Sequence, residues 1–200
     1  FFHYAGDFNS QQITFYRYMN GFVKGAGYPD SAFAGAPHNT FSWATDLGSG
    51  VMNAYSFYLY GSPFFWLSVL LPQSWLPYMM VPLLVLKFGV AGGGAFLYLR
   101  RYVKNENYAV LGACLYALSG FAVYNVFFNH FVDVVALFPY LLWALDEAIY
   151  ENRHGLFAFW VAVNLLNNYF FFAGQAVFLI IYFFCMAAGR RYELGLRKFV

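Results

Sequence analysis

From residue 76 onward the apolar positions come in blocks rather than stripes. Residues 76–99 hold one charged side chain, Lys87, before Arg100, Arg101 and Lys104 close the block. A membrane span takes about 20 mostly apolar residues. Further blocks follow at 108–126, 132–149, 156–172 and 175–188, the last two short enough to read as a hairpin turning at Ala173-Gly174. Ahead of residue 76 the pattern changes. Across residues 9–24, Ile13, Tyr16, Met19, Asn20 and Val23 recur at steps of three and four, with Arg17 and Lys24 off that stripe. This spacing predicts an amphipathic helix, ended by Gly25-Ala26-Gly27-Tyr28-Pro29-Asp30. It is expected to lie in the bilayer interface with its apolar side in lipid. A loop rich in Gly, Asn and Ser fills residues 35–50, a second short helix residues 51–60, and an apolar piece at 63–71 is too short to cross, hence re-entrant or interfacial.

Composition places the whole chain in a bilayer. It is 62% hydrophobic, 24% aromatic and 10% charged, where a soluble domain carries about 25% charged residues. The predicted fold class is all-α: an extracytoplasmic loop over residues 1–75 bearing amphipathic interfacial helices, then a polytopic transmembrane helix bundle over residues 76–200. A net charge of +2 gives no case for nucleic acid as a partner. The positions of the charges say more than their sum. Arg100, Arg101, Lys104, Arg153, Arg190, Arg191, Arg197 and Lys198 all fall on one side of the alternating spans, which the positive-inside rule makes the cytoplasm. Residues 1–75 and the turn at 127–131 then face outward. Cys114 and Cys185 sit inside apolar blocks and are expected to be small hydrophobes, not a disulfide or metal site. The chain opens on Phe1-Phe2 and ends on Lys198-Phe199-Val200, and reads as a piece of a longer protein lacking a first span and a C-terminal part.

Polar residues suited to chemistry collect on the outer side: Asp7, Gln11, His38, Asn39, Asp46, Asn129, His130 and Asp133, with Asn167, Asn168 and Gln175 near the last hairpin. Asp7 is a candidate general base, metal ligand or helix N-cap; a base must reach an acceptor hydroxyl and take its proton as the new bond forms. In Trp43-Ala44-Thr45-Asp46-Leu47-Gly48-Ser49-Gly50, the glycines permit close backbone approach and Trp43 can stack on a sugar ring. Asp46 is a ligand candidate or a cap for the following helix. Asn129-His130-Phe131-Val132-Asp133 puts a His and an Asp three apart, a weak metal signal, because a usable site takes three or more ligands. A divalent ion held by Asp46, His130 and Asp133 is an open candidate cofactor. Lys87 lies about 15 Å below the outer end of its span, where a charge costs about 2.5–3.5 kcal/mol on insertion scales. It must face protein or a wet cavity, either in a structural pairing or holding a lipid-linked phosphate. Gly92-Gly93-Gly94 below it permits close helix packing.

Several stretches together resemble the YfhO family of bacterial membrane proteins. They are Gly6-Asp7 through Gln11-Gln12, the Trp43 to Gly50 run, Tyr55-Ser56-Phe57-Tyr58 with Gly61-Ser62-Pro63-Phe64-Phe65, Tyr116-Ala117-Leu118-Ser119-Gly120-Phe121, Phe128-Asn129-His130-Phe131 with Asp133, Phe138-Pro139, and Asn168-Tyr169-Phe170-Phe171. That family is similar to the GT-C class of polytopic glycosyltransferases. The resemblance implies transfer of a sugar from a polyprenyl-phosphate carrier to a cell-wall acceptor such as lipoteichoic acid, at the outer face of the bacterial cell membrane. It also maps the class's acidic residue of the first outer loop onto Asp7. Gln11, Trp43, Asp46, Lys87, Asn129, His130 and Asp133 are then the expected substrate-binding set. The alternative is a transporter or flippase of lipid-linked glycans, which would use the same lipid groove without a base and leave the acceptor unchanged. A scaffold protein would make the outer polar set incidental.

Overall fold

The computed structural model describes residues 6–25, 41–42, 45 and 48–192. The fold is an all-α, polytopic helical one. In chain order it comprises a π-helical segment Phe8–Ile13, α1 (Thr14–Val23), two-residue strands β1 (Phe41–Ser42) and β2 (Ser49–Gly50), α2 (Val51–Tyr55) continuing into π-helical Ser56–Tyr60, and α3 (Pro63–Val69). Then come α4 (Leu76–Leu99), α5 (Glu106–Ala117), α6 (Gly120–Tyr124), α7 (Asn129–Glu151), α8 (His154–Asn167) and α9 (Tyr169–Ala188). Among the described residues, Gln73–Leu99, Glu106–Phe127 and Tyr169–Ala188 are long and apolar enough to cross a membrane, and His154–Asn167 is a shorter apolar helix. Helix α7 has the length but carries Asp133, Asp146 and Glu147, all buried.

The chain divides into two compact units, Phe1–Gly89 with Leu118–Asp133, and Val90–Ala117 with Val134–Val200. In the first unit, Phe8, Ile13, Tyr16 and Met19 form a core with Val51, Tyr55, Leu59, Phe65, Leu76, Met80 and Leu83. The apolar side of the first amphipathic helix, expected in lipid, is thus packed on protein. Polar bonds fix it there: the Asn20 amide donates to the Ser68 carbonyl at 3.0 Å, and the Gln73 amide to the Arg17 carbonyl at 2.8 Å. Helix α3 starts at Ser62, whose hydroxyl accepts from the Phe65 N–H, with Pro63 at the first helical position, the favoured order for a helix start. Phe41–Ser42 pairs antiparallel with Ser49–Gly50 inside the stretch read as loop.

The second unit centres on the lower part of α7. Leu141, Leu145 and Leu179 are buried together, with Phe138, Trp160 and Tyr182 packed on them. Asp146, completely buried, accepts from the hydroxyls of Tyr102 (2.6 Å), Tyr182 (3.2 Å) and Tyr192 (2.6 Å). Three donors on one carboxylate meet the demand of a buried polar group for partners. Close packing at the glycine run is also seen: a Cβ at Gly94 would lie 2.6 Å from the Tyr140 ring, itself stacked on Trp160 at 4.6 Å. The exposed residues of α9 include Val177, Phe178, Ile180, Ile181 and Phe184, a surface that belongs in hydrocarbon.

Two breaks differ from the hydropathy reading. The turn between the last two helices is at Asn168, not at Ala173-Gly174, which lie inside α9. Asn168 is extended (φ −159°) and its side chain accepts from the Phe171 N–H at 3.1 Å. An N-cap bond decides the helix start, while a lone glycine within a long apolar helix is tolerated. The block at 108–126 is interrupted likewise, where Ser119 caps α6 by accepting from the Ala122 N–H.

Candidate functional site

Four of the residues singled out from the sequence meet in the first unit. The Lys87 ammonium lies 2.5 Å from Asp133 Oδ1, donates to Asn129 Oδ1 at 2.8 Å and to the Asn129 carbonyl at 3.2 Å. Two of the three ammonium donors are taken by Asn129, and Asp133 supplies the opposite charge. The rings of Phe64 and Tyr16 lie 5.5 and 5.9 Å from it, near enough for the ring faces to favour the charge. Lys87 is 0% and Asp133 1% exposed. The depth that made Lys87 conspicuous is therefore met by an ion pair inside the protein, the structural pairing of the two readings.

The same cluster reaches α1 and α3. The Tyr16 phenol is buried close to Asn129, Ser62 and the Asp133 carboxylate. Burial, and then the Asp133 charge, push that phenol well above its usual pKa, so it stays neutral. Neither Tyr16 nor Ser62 stood out in the sequence. Tyr16 was hidden as one member of an apolar stripe; its hydroxyl on a buried face was the available signal. Ser62 was hidden by its capping role before Pro63.

His130 follows Asn129 and precedes the apolar block at 132–149. Its ring is enclosed by Phe57, Tyr58 and Phe131 at centroid distances of 5.0, 5.1 and 4.6 Å. Its two ring nitrogens have no hydrogen-bond partner among the described residues. Burial, and then the Lys87 charge, push its pKa from 6.5 down to about 3. The folded state therefore holds His130 neutral, whereas the unfolded chain takes up the proton first as pH falls. Its contribution to stability is full above 6.5 and is lost from there toward 3. Thermal unfolding of the wild type should move to lower temperature between about pH 7.5 and about pH 4.5. His130→Phe, which keeps an aromatic ring in an aromatic enclosure, should flatten that dependence and leave the neutral-pH value nearly unchanged. An equally steep acid dependence in the variant would contradict the buried neutral imidazole.

Asp7 stands at the opening of the π-helical segment Phe8–Ile13 and makes no capping hydrogen bond. It is half-buried. Gly6 before it has φ +68°, a left-handed conformation that glycine adopts without strain and that turns the chain into the helix. Gln11 is half-buried beside it. Gln12 is 0% exposed with neither amide atom bonded among the described residues. π-Helical turns of this kind concentrate at functional sites. Trp43 and Asp46 lie outside the described residues, as do His38 and Asn39.

As a metal centre the described residues are a poor fit. Among them no three His, Cys, Asp or Glu side chains converge. Asp133 is engaged by Lys87 at 2.5 Å, and a divalent ion at Asp133 and His130 would sit against that ammonium.

The family model described as "Bacterial membrane protein YfhO" matches residues 2–198. The chain belongs to the YfhO family. As a YfhO-family chain it is a bacterial membrane protein, in keeping with the three helices among the described residues that are long and apolar enough to cross a membrane. No curated protein and no solved structure matches it.

Proposed function

We propose that this YfhO-family chain is part of a membrane glycosyltransferase. It moves a sugar from a polyprenyl-phosphate donor to an acceptor outside the cytoplasm, a cell-wall polymer such as lipoteichoic acid. The arginine-rich ends of the helices face the cytoplasm and Asp7 faces outward, as the positive-inside rule supports. The observation that carries the reading is Asp7: a half-buried carboxylate free of capping bonds, at the head of a helical segment packed on α4.

In this reading the acceptor hydroxyl attacks the anomeric carbon of the donor sugar. A new C–O bond forms there, the bond to the phosphate oxygen breaks, and its electron pair leaves on the polyprenyl phosphate. Asp7 takes the hydroxyl proton. Phosphate leaves as a stable anion without prior protonation, so one base suffices. Lys87 and Asp133 are positioning residues: their ion pair ties α4 to the start of α7, and Tyr16 ties α1 to the same cluster. Gln11 is the proposed sugar contact from the described residues, with Trp43 and Asp46 from the loop, while Asn129 and His130, 2% and 4% exposed, are positioning residues behind it. A direct displacement inverts the anomeric carbon. Analysis of the product should therefore find the sugar joined to the acceptor through a new glycosidic bond of opposite anomeric configuration to the donor. An acceptor left unmodified while the donor changes leaflet would contradict the reading in favour of a flippase.

A further inference from the structure

A second site of ligand-binding character lies within the other unit, at the arginine-rich end. A pocket of about 310 Å³ is lined by Leu97, Arg100, Arg101, Trp143, Glu147 and Arg153. Its architecture follows from two chain ends. The apolar run of α4 stops at Leu99, so Arg100 and Arg101 come at the depth where hydrocarbon gives way to headgroups. At the end of α7, Asn152 takes a left-handed φ of 56°, a C-terminal stop that asparagine tolerates. The chain thereby folds back, so that the Arg153 N–H donates to the Glu147 carbonyl and Arg153 Nη1 lies 3.2 Å from Glu147 Oε2. Arg101 pairs with the other oxygen, Oε1, of the same carboxylate and lies over the Tyr150 ring at 4.9 Å. One glutamate thus aligns two guanidiniums. Arg100 is exposed and has no ionic partner among the described residues. Three arginines face one carboxylate, leaving a surplus of positive charge on a wall completed by Leu97 and Trp143.

We propose that this pocket binds the phosphodiester headgroup of an anionic membrane lipid in the leaflet next to the arginines, the cytoplasmic one under the topology proposed above. The site is separate from the Lys87–Asp133 cluster and does not depend on glycosyl transfer. Guanidinium forks match the two free oxygens of a phosphodiester. Basic pockets at the cytoplasmic ends of membrane helices have this use. Leu97 and Trp143 explain why the ligand is a lipid and not a soluble phosphate: they offer an apolar wall for the start of an acyl chain, at the depth where indole rings favour the interface.

The test uses the full-length protein in detergent micelles, titrated with phosphatidylglycerol or phosphatidylcholine and read by native mass spectrometry. Wild type should retain phosphatidylglycerol selectively. Arg100→Gln with Arg153→Gln should weaken that retention by about tenfold and leave phosphatidylcholine unchanged; Arg101 is kept because it is the less exposed of the two partners of Glu147, its side chain 25% exposed against 62% for Arg153. Glycerol phosphate at equal concentration should not displace the lipid. Equal retention of both lipids, an unchanged double variant, or displacement by glycerol phosphate would overturn the proposal. To remain independent of variant folding, photoactivatable phosphatidylglycerol on wild type should crosslink saturably to peptides containing Leu97 or Trp143. Saturable crosslinks only elsewhere would also overturn it.

Discussion

Asp7→Asn is expected to lower sugar transfer by about 10²–10⁴-fold, the usual contribution of a positioned general base, while leaving the amount of folded protein unchanged. The substitution is close to isosteric and removes only the ability to accept a proton. It should be silent for folding, because the Asp7 side chain makes no capping bond and the segment behind it is held through Phe8, Ile13, Tyr16 and Met19. Binding of the lipid-linked donor should persist, since the change affects the transfer step and not the lipid groove. Comparing single-turnover transfer with donor retention on the two proteins checks this directly. A variant that transfers at the wild-type rate would remove Asp7 from the role of base.

Lys87→Met is expected to be among the most damaging single substitutions for stability. It leaves the Asp133 carboxylate buried at 1% exposure without its cation. Removing one partner of a buried ion pair costs about 3–5 kcal/mol, whereas replacing both by apolar groups of similar size is often neutral. Lys87→Met combined with Asp133→Leu should therefore recover most of the lost thermal stability. The double variant also separates two roles for Lys87. As a positioning residue it can be replaced together with Asp133 and transfer should survive within about tenfold, since only helix placement is at stake. If the ammonium held the donor phosphate, the folded double variant would be inactive. A Lys87→Met protein as stable as wild type would contradict the ion pair itself.

Much of the frame was legible in the sequence, because single apolar blocks encode single helices. The run from residue 76 to 99 became α4 with those bounds, and the lone cation inside it had to face protein or a wet cavity. The glycine run below it announced the close approach of Tyr140. What hydropathy could not see were breaks decided by one side-chain bond. Asn168 ends one helix and caps the next, and Ser119 divides a block that reads as continuous. The π-helical turn after Asp7 has no sequence signature of its own, since it differs from an α-helix only by where each N–H finds its carbonyl. The site was legible in membership but not in pairing. Asn129, His130 and Asp133 drew attention as a local cluster, and Lys87 drew attention by depth. That they form one cluster with Tyr16 and Ser62 depends on contacts between distant parts of the chain, which periodicity does not encode. The phenol cage around Asp146 was missed for the same reason, since Tyr102, Tyr182 and Tyr192 come from three separate segments.

The most direct measurement of the central claim is sugar transfer by the full-length protein in liposomes. Radiolabelled polyprenyl-phosphate sugar serves as donor and lipoteichoic acid as acceptor, with Asp7→Asn protein beside wild type at equal folded amount. The account predicts label covalently joined to the polymer with wild type and none above background with the variant. Equal labelling by both proteins would contradict the assignment of the base. A series of such donors that wild type moves across the bilayer, with no label ever joined to the polymer, would contradict the transferase.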